Sequence, residues 1–190
     1  MTDPPQRIAP LTPPYEPDVA AMLAKWMPPG AQVEPLALFR TLNRHADLAS
    51  RARPLGAGIL GHGLLEPRLR EVMILRTCAL TGAEYEWGVH VAAFARPLGF
   101  SDEQLRETVD GQPDAAQWAP DELAVLALAG ALHERSGVCD DEFAALAAHF
   151  SDEEIIELCV IAGWYHAIAY VINVCAVQAE PWAERFAALA

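Results

Sequence analysis

Two stretches with the sequence Phe-Ser-Asp-Glu, at residues 100–103 and 150–153, constrain the fold of this chain more than any other feature. In each stretch the Ser is followed three residues later by a glutamine or a glutamate, Gln104 or Glu154. This spacing is typical of a capping box, in which both side chains bind backbone amides that a helix start leaves without partners. The sequence therefore predicts helices that begin at Ser101 and Ser151, and the similar surroundings indicate two related helical hairpins.

Apolar residues recur at helical spacing through most of the rest of the chain. We predict helices over residues 19–27, 36–43, 46–60, 67–81, 83–98, 120–135, 140–150 and 155–177, and a short one that Pro181 begins. Pro54 and the glycines near it predict a kink in the third of these helices. No segment shows the alternation of a strand, so we predict an all-α fold. A single domain is expected over residues 1–190, with an extended Pro-rich lead over residues 1–17.

The charge of the chain argues against one class of partner. The 13 Lys and Arg residues are outnumbered by 26 Asp and Glu residues, which gives a net charge of −13. A protein this acidic repels a phosphate backbone, and Lys25 is the sole lysine. We therefore expect no nucleic-acid partner.

Two segments bear on the location of the protein. The most apolar stretch, residues 155–177, contains Glu157, His166 and Asn173, which a lipid-facing helix does not readily carry. We therefore interpret it as a buried helix and expect no membrane association. Residues 1–14 are rich in proline and lack the apolar region of a signal peptide, so a cytoplasmic protein is expected.

The four cysteines, Cys78, Cys139, Cys159 and Cys175, match neither a Cys-x-x-Cys redox pair nor the spacing of a zinc site. Free cysteines of this kind usually behave as small apolar side chains. We expect reduced and mostly buried thiols.

Residues 68–100 concentrate polar side chains in two otherwise apolar predicted helices. Glu86 and His90 are four residues apart and share a helix face, while Glu71 lies on the preceding helix. A nearby carboxylate raises the pKa of an imidazole, and burial raises the pKa of an unpaired carboxyl group, which prepares both for proton transfer. If the helices pack antiparallel, we expect these residues and Arg76 to converge on one cavity. Water or Arg76 would then bridge Glu71 to His90.

The same region carries a resemblance to a known family. Arg70-Glu71, residues 74–76, the run Thr-Gly-Ala-Glu-Tyr-Glu-Trp at 81–87, His90 and Gly99 are similar to the carboxymuconolactone decarboxylase family of the alkylhydroperoxidase D-like superfamily. The similarity is strongest over residues 68–105, and a weaker one continues at residues 163–166. It implies an all-helical fold and a homo-oligomer, either a trimer or a hexamer.

The resemblance also implies a proton relay. In the peroxidase branch a Glu and a Cys-x-x-Cys pair act with the His, and Glu71 and His90 occupy the Glu and His positions. The cysteine positions hold Ala83 and Glu86 instead, so the chain resembles a member without the Cys-x-x-Cys pair. This departure argues against a disulfide-cycling peroxidase.

The leading hypothesis is a cofactor-independent acid–base enzyme that decarboxylates or isomerises a small organic acid or lactone. His90 would move the proton, while Glu71 and Glu86 would orient the ring and tune its pKa. Arg76 would hold a carboxylate or a developing enolate charge. Further substrate contacts are predicted at Tyr85, Trp87 and His166. No metal site is predicted.

Other interpretations of single residues stay open at this point. His90 can be a core histidine, and Glu84 and Glu86 can simply complement the dipole of their helix. Arg76 can form a structural ion pair. Glu86 and His90, together with Glu71 and His62, could also hold a metal ion.

Two alternative functions accompany these interpretations. Cys78 could act as a lone thiol in a peroxidase, without the usual cysteine pair. The chain could also be a non-catalytic member of the family that binds a small ligand. Trp164, Tyr165 and Tyr170 can then line the pocket or belong to the core.

Overall fold

The computed structural model describes residues 5–28 and 33–189, and the regular elements in this part of the chain are all helical. The all-α prediction is therefore confirmed. The helices are α1 (Pro17–Ala24), α2 (Ala37–Leu42), α3 (Ala46–Gly61), α4 (Pro67–Leu80), α5 (Glu84–His90), α6 (Asp102–Asp110), α7 (Pro120–Arg135), α8 (Asp140–Ala147) and α9 (Asp152–Cys175).

Helix α4 lies at the centre of the fold, where it packs against α5, α6, α7 and α9. Pro67 occupies its first turn, where the missing backbone N–H costs no helical hydrogen bond. Gly82, with a φ of 65°, follows α4 and turns the chain into α5. Because other helices surround α4, even its polar residues Glu71 and Thr77 are 0% exposed.

Both predicted capping boxes are present. The Ser101 hydroxyl accepts a hydrogen bond from the Gln104 backbone amide, and the Gln104 side chain accepts one from the Ser101 amide, each at 3.1 Å. At the second box the Ser151 amide donates to the Glu154 carboxylate at 2.8 Å, and the Ser151 hydroxyl accepts from the Glu154 amide at 3.3 Å. Helices α6 and α9 begin directly after these serines, as predicted.

The helix predicted over residues 83–98 is wrong in its second half. Helix α5 ends at His90, and Val91–Ala95 forms a π-helical turn, in which the Arg96 amide donates five residues back at 3.0 Å. Pro97 has no backbone N–H, so a regular helical hydrogen-bond pattern cannot continue through it. The wider turn therefore starts directly after the histidine, a position at which π-helical turns often mark a functional site.

Helix α9 has two different faces. One face packs against α3, α4, α5, α7 and α8, whereas the opposite face is solvent-exposed and still apolar. By length and composition alone α9 could cross a membrane, a test that core helices also pass. The interpretation as a buried helix therefore holds for one face only. The apolar residues exposed on the other face are Ile156, Val160, Tyr170 and Val174, with 42–64% of each accessible.

The chain beyond α9 crosses over α5 at Gly88. The Glu184 amide donates to the Gly88 carbonyl at 3.4 Å, and a Cβ at position 88 would overlap the Glu184 backbone. Arg96 holds the crossing segment through two hydrogen bonds to the Glu184 carboxylate, at 2.8 and 2.9 Å. The helix predicted to begin at Pro181 is wrong, since a single 3₁₀ turn forms later, at Phe186–Leu189.

We predict that Gly88→Ala lowers the free energy of unfolding by about 1–3 kcal/mol, because the added methyl group must displace the Glu184 backbone. Gly58→Ala is the matched control, since nothing lies within 4 Å of a Cβ at this position inside α3. It should stabilise the protein by about 0.5–1 kcal/mol. Urea denaturation of the three proteins measures both effects, and a Gly88→Ala variant as stable as the wild type would contradict the close crossing.

Candidate active site

Helices α4 and α5 bring Glu71 and His90 into direct contact. The Glu71 Oε2 atom lies 2.7 Å from His90 Nδ1, and the two side chains are 0% and 3% exposed. The expectation that water or Arg76 bridges these residues is therefore wrong. Glu71 and His90 lie at different heights along the two packed helices, and their side chains extend far enough to make contact.

Arg70 holds the other oxygen of the same carboxylate. Its Nε atom donates to Glu71 Oε1 at 3.0 Å, and its Nη1 atom donates to the Leu60 carbonyl of α3 at 3.1 Å. Glu71 is thus bound from both sides by groups that carry or can carry positive charge. A carboxylate with both oxygens occupied keeps a fixed orientation, and it fixes the imidazole ring of His90 in turn.

The second nitrogen of His90, Nε2, faces two further polar groups. The Tyr165 hydroxyl lies 3.1 Å from Nε2, and Glu86 Oε1 lies 3.6 Å from it. The Phe94 ring, from the π-helical turn, stacks on the imidazole with the centroids 5.0 Å apart. The ring therefore lies between a structural carboxylate on one side and two further polar groups, a hydroxyl and a second carboxylate, on the other.

The pKa of His90 is raised from 6.5 to about 9. Burial by itself lowers this pKa, but the neighbouring carboxylates of Glu71 and Glu86 more than compensate. At neutral pH the ring is therefore an imidazolium, which donates from both nitrogens. Burial and the same two carboxylates raise the pKa of Tyr165 well above its usual value, so its hydroxyl stays protonated.

A cavity of about 670 Å³ lies in front of Nε2, a volume in the range of small-molecule binding sites. Its inner wall contains His90, Glu86 and Tyr165, all of which are buried. Most of the remaining lining is apolar and aromatic. The aromatic rings come from Trp26, Phe39, Phe94, Trp164 and Trp182, and the other charged lining residues are Lys25, Glu34 and Arg53.

Arg76 lies away from this cavity, so the expectation that it converges with Glu71, Glu86 and His90 is wrong. Its guanidinium donates to the Thr108 carbonyl at 2.9 Å and packs against Gly111, beyond the end of α6. Arg76 thus binds backbone carbonyls that the end of a helix leaves without partners.

Three other predicted substrate contacts also lie outside the cavity. The Tyr85 hydroxyl donates to Glu180 at 2.6 Å. The Trp87 indole is fully buried and donates to Thr108 at 3.0 Å. His166 pairs with the Ala162 carbonyl and with His133 on the outside of α9. The structure therefore brings together Glu71, Glu86 and His90, but not Arg76, Tyr85, Trp87 or His166.

Arg70 is a neighbour of Glu71 to which the sequence assigned no role, and Tyr165, which the sequence left open as pocket lining or core, lies within hydrogen-bond distance of His90. The helical phase of α9 contains a signal for Tyr165. It lies on the same face as the apolar residues Leu158, Ile161 and Ile168, all of them buried, whereas the next residue is turned by about 100°. Arg70 belongs to the run that resembles the family, but its helical position alone assigns it no role, because a charged residue beside a buried Glu is also common on a helix surface.

The cysteines lie apart from the cavity lining. Cys78 is fully buried, and burial together with the charges of Glu86 and Glu71 raises the pKa of its thiol well above the usual value. A thiol in that state is a poor nucleophile, which argues against Cys78 as a lone peroxidatic residue. His62 lies at the end of α3, outside the cavity lining, and no group of three metal-ligating side chains gathers among the described residues.

A comparison with protein families matches part of this chain to a known family. The model of the carboxymuconolactone decarboxylase family matches residues 46–131. Over these residues the chain matches the carboxymuconolactone decarboxylase family, which confirms the resemblance predicted from the sequence. The matched range contains Arg70, Glu71, Glu86 and His90, while Tyr165 lies beyond it. No curated protein sequence matches the chain.

Solved structures share the alkylhydroperoxidase D-like fold of this chain. The debrominase Bmp8 in complex with 2,3,4-tribromopyrrole superposes with a TM-score of 0.77 at 17% identity, covering 99% of this chain and 97% of the other. An uncharacterized peroxidase-related protein from Silicibacter sp. TM1040 gives 0.77 at 15% identity, with 98% and 99% covered. ATU0492 from Agrobacterium tumefaciens, of unknown function, gives 0.67 at 23% identity, with 73% and 94% covered. At these identities the likeness establishes the fold.

We predict that Glu71→Gln lowers the pKa of His90 from its value of about 9, because the partner charge is lost while burial remains. Since the folded-state pKa is raised, protonated His90 contributes stability fully below pH 6.5, and this contribution is lost as the pH rises through about 9. The wild type should therefore lose more stability than the variant across this interval. NMR titration of the imidazole measures the pKa, with His90→Asn to assign the signal. Urea denaturation at each pH measures the stability. An unchanged pKa in the variant would contradict the pairing.

Proposed function

We propose that this protein is an acid–base enzyme that transfers a proton to or from a small organic molecule bound in the cavity. The contact between the buried Glu71 and His90 carries the proposal, since it fixes one ring nitrogen and leaves the other toward Glu86 and Tyr165. General acids and bases of this kind need a proton-bearing group within reach of a bound substrate. The cavity in front of Nε2 supplies that position.

The charge state of the site favours reactions in which His90 first gives a proton. With a pKa of about 9 the resting ring is an imidazolium. In a decarboxylation the electrons of the broken carbon–carbon bond pass to an enolate as CO₂ leaves, and His90 then protonates the carbon. In an isomerisation of an unsaturated lactone, His90 first protonates one carbon of the double bond, and the neutral ring then takes a proton from a neighbouring carbon, so that the double bond moves. Glu86 and Tyr165 stabilise the ring in both protonation states.

The placement of Arg76 changes how an acidic substrate would bind. Its guanidinium is held by backbone carbonyls and is not available. Lys25 and Arg53 are the Lys and Arg residues of the described cavity lining. A carboxylate of the substrate would therefore bind at Lys25 or Arg53, away from the buried Glu86.

We predict that His90→Ala lowers turnover by about two to four orders of magnitude, the usual contribution of a general acid or base. Lactones and β-keto acids are incubated with the protein in D₂O, and NMR follows deuterium uptake next to the carbonyl group. His149→Ala is the control, because this histidine is exposed and lies outside the cavity. A folded His90→Ala variant as active as the wild type would contradict the proposal. Ligand binding by the wild type without any turnover would favour the non-catalytic alternative.

We also propose that the protein forms a homo-oligomer, a trimer or a hexamer, through the exposed face of α9. Exposed Ile156, Tyr170 and Val174 are each more than 60% accessible in the single chain, at 64%, 63% and 64%. A contiguous apolar face of this kind is typical of a protein–protein contact. Burial of this face would stabilise an assembly of identical chains.

Light scattering should then give a mass three or six times the 20.6 kDa of one chain. Ile156→Glu should shift the mass downward, since it places a charge in the contact. The helix itself should stay intact, because a glutamate is favourable near the start of a helix. Leu48→Glu is the control, because Leu48 is also exposed, at 53%, near the start of a helix. A wild type that stays at 20.6 kDa at micromolar concentration would overturn this proposal.

A further inference from the structure

We propose that the cavity binds a neutral, mostly apolar ring compound that donates one O–H or N–H hydrogen bond to Glu86. Phenols are the simplest members of this class. The inference rests on the proposed function because it places the reacting group of the ligand next to His90. Binding of the ligand can nevertheless be measured without turnover.

Glu86 differs from the other buried glutamates of the described chain. Glu71, Glu107 and Glu122 each accept at least two hydrogen bonds, from charged side chains, an indole or backbone amides. Glu86 is 7% exposed, and its Oε2 atom has no hydrogen-bond partner among the described residues. A buried carboxylate oxygen without a donor is unfavourable, and a donor on a ligand would relieve this cost.

The position of Glu86 connects this acceptor with the cavity. The residue contributes to the cavity lining, and its Oε1 atom is 3.6 Å from His90 Nε2. The two oxygens belong to one small planar group, so a donor bound to Oε2 lies close to the imidazole that Oε1 faces. A group that donates to Glu86 therefore lies next to the imidazole. The ligand atom that carries the donor, and the atoms bonded to it, are then the ones that His90 can protonate.

The distribution of charge in the cavity favours a neutral donor over an anion at this end. Glu86 bears the carboxylate nearest to the inner wall, and it repels a second carboxylate. The cation Lys25 is exposed, and Arg53 is half-buried and donates to the Lys25 carbonyl at 3.1 Å. Apart from Glu34, the rest of the lining is mostly aromatic and aliphatic. A flat apolar ring with its hydroxyl directed at Glu86 fits a cavity with this distribution of charged and apolar side chains.

The test compares three probes of nearly equal shape: 4-ethylphenol, 4-ethylanisole and 4-ethylbenzoate. Isothermal titration calorimetry at pH 7 should show that the wild type binds the phenol at least about tenfold more tightly than the methyl ether, which has no donor. The benzoate should bind more weakly than the phenol. Equal affinity for the phenol and the ether would overturn the inference.

Two variants test whether Glu86 is responsible. In Glu86→Leu the preference for the phenol over the ether should disappear, while the ether still binds. Val89→Ala, which enlarges the apolar wall at a residue of the same helix, should weaken both ligands and keep the preference. Should Glu86→Leu fail to fold, Glu86→Gln serves instead, since a neutral amide accepts more weakly than a carboxylate and should reduce the preference. A preference that survives in the folded Glu86 variant would contradict the proposal.

The same measurement on His90→Ala separates this inference from the proposed function. This variant should keep the preference for the phenol, because the acceptor remains. If His90→Ala stays fully active while the preference depends on Glu86, the proposed function fails and the binding inference stands. If His90→Ala is inactive and the wild type shows no preference, the binding inference alone fails.

Discussion

The structure depends on the burial of the Glu71 carboxylate at the centre of the helical packing. A charge removed so completely from water requires charged partners, and here they come from two directions, His90 on α5 and Arg70 on α4 itself. Arg70 also donates to the Leu60 carbonyl near the end of α3. One buried charge thus connects three helices, and it determines which nitrogen of His90 faces Tyr165 and Glu86.

Much of the fold could be predicted from the sequence, because local signals mark its helix boundaries. The helix predicted over 120–135 has the bounds observed for α7, and the two Ser capping boxes start α6 and α9. These signals depend on backbone hydrogen bonds within a few residues, so they do not require knowledge of the tertiary structure. The resemblance to a family indicated Glu71 and His90 in the same way, by spacing.

The site residues that were predicted wrongly failed because of their directions around a helix. Tyr85 and Trp87 each lie about 100° from Glu86 on the helix surface, so they could not share its direction. Arg76 was selected for its charge, although its position on α4 is turned well away from Glu71. The π-helical turn after His90 also changes the phase of the residues that follow it. Which face of each helix meets a partner depends on packing between distant segments, and no single stretch of sequence contains that information.

The cavity has a consequence for how such a protein can diverge. The acid–base residues lie on α4, α5 and one turn of α9, whereas much of the aromatic lining comes from residues next to α1, in α2 and beyond α9, at Trp26, Phe39 and Trp182. Substitutions in these peripheral segments alter the size and shape of the compartment without disturbing the buried charges. The proposed proton chemistry and the shape of the apolar compartment thus depend on separate parts of the chain, so substitutions can change which ligands fit while the buried charges stay in place.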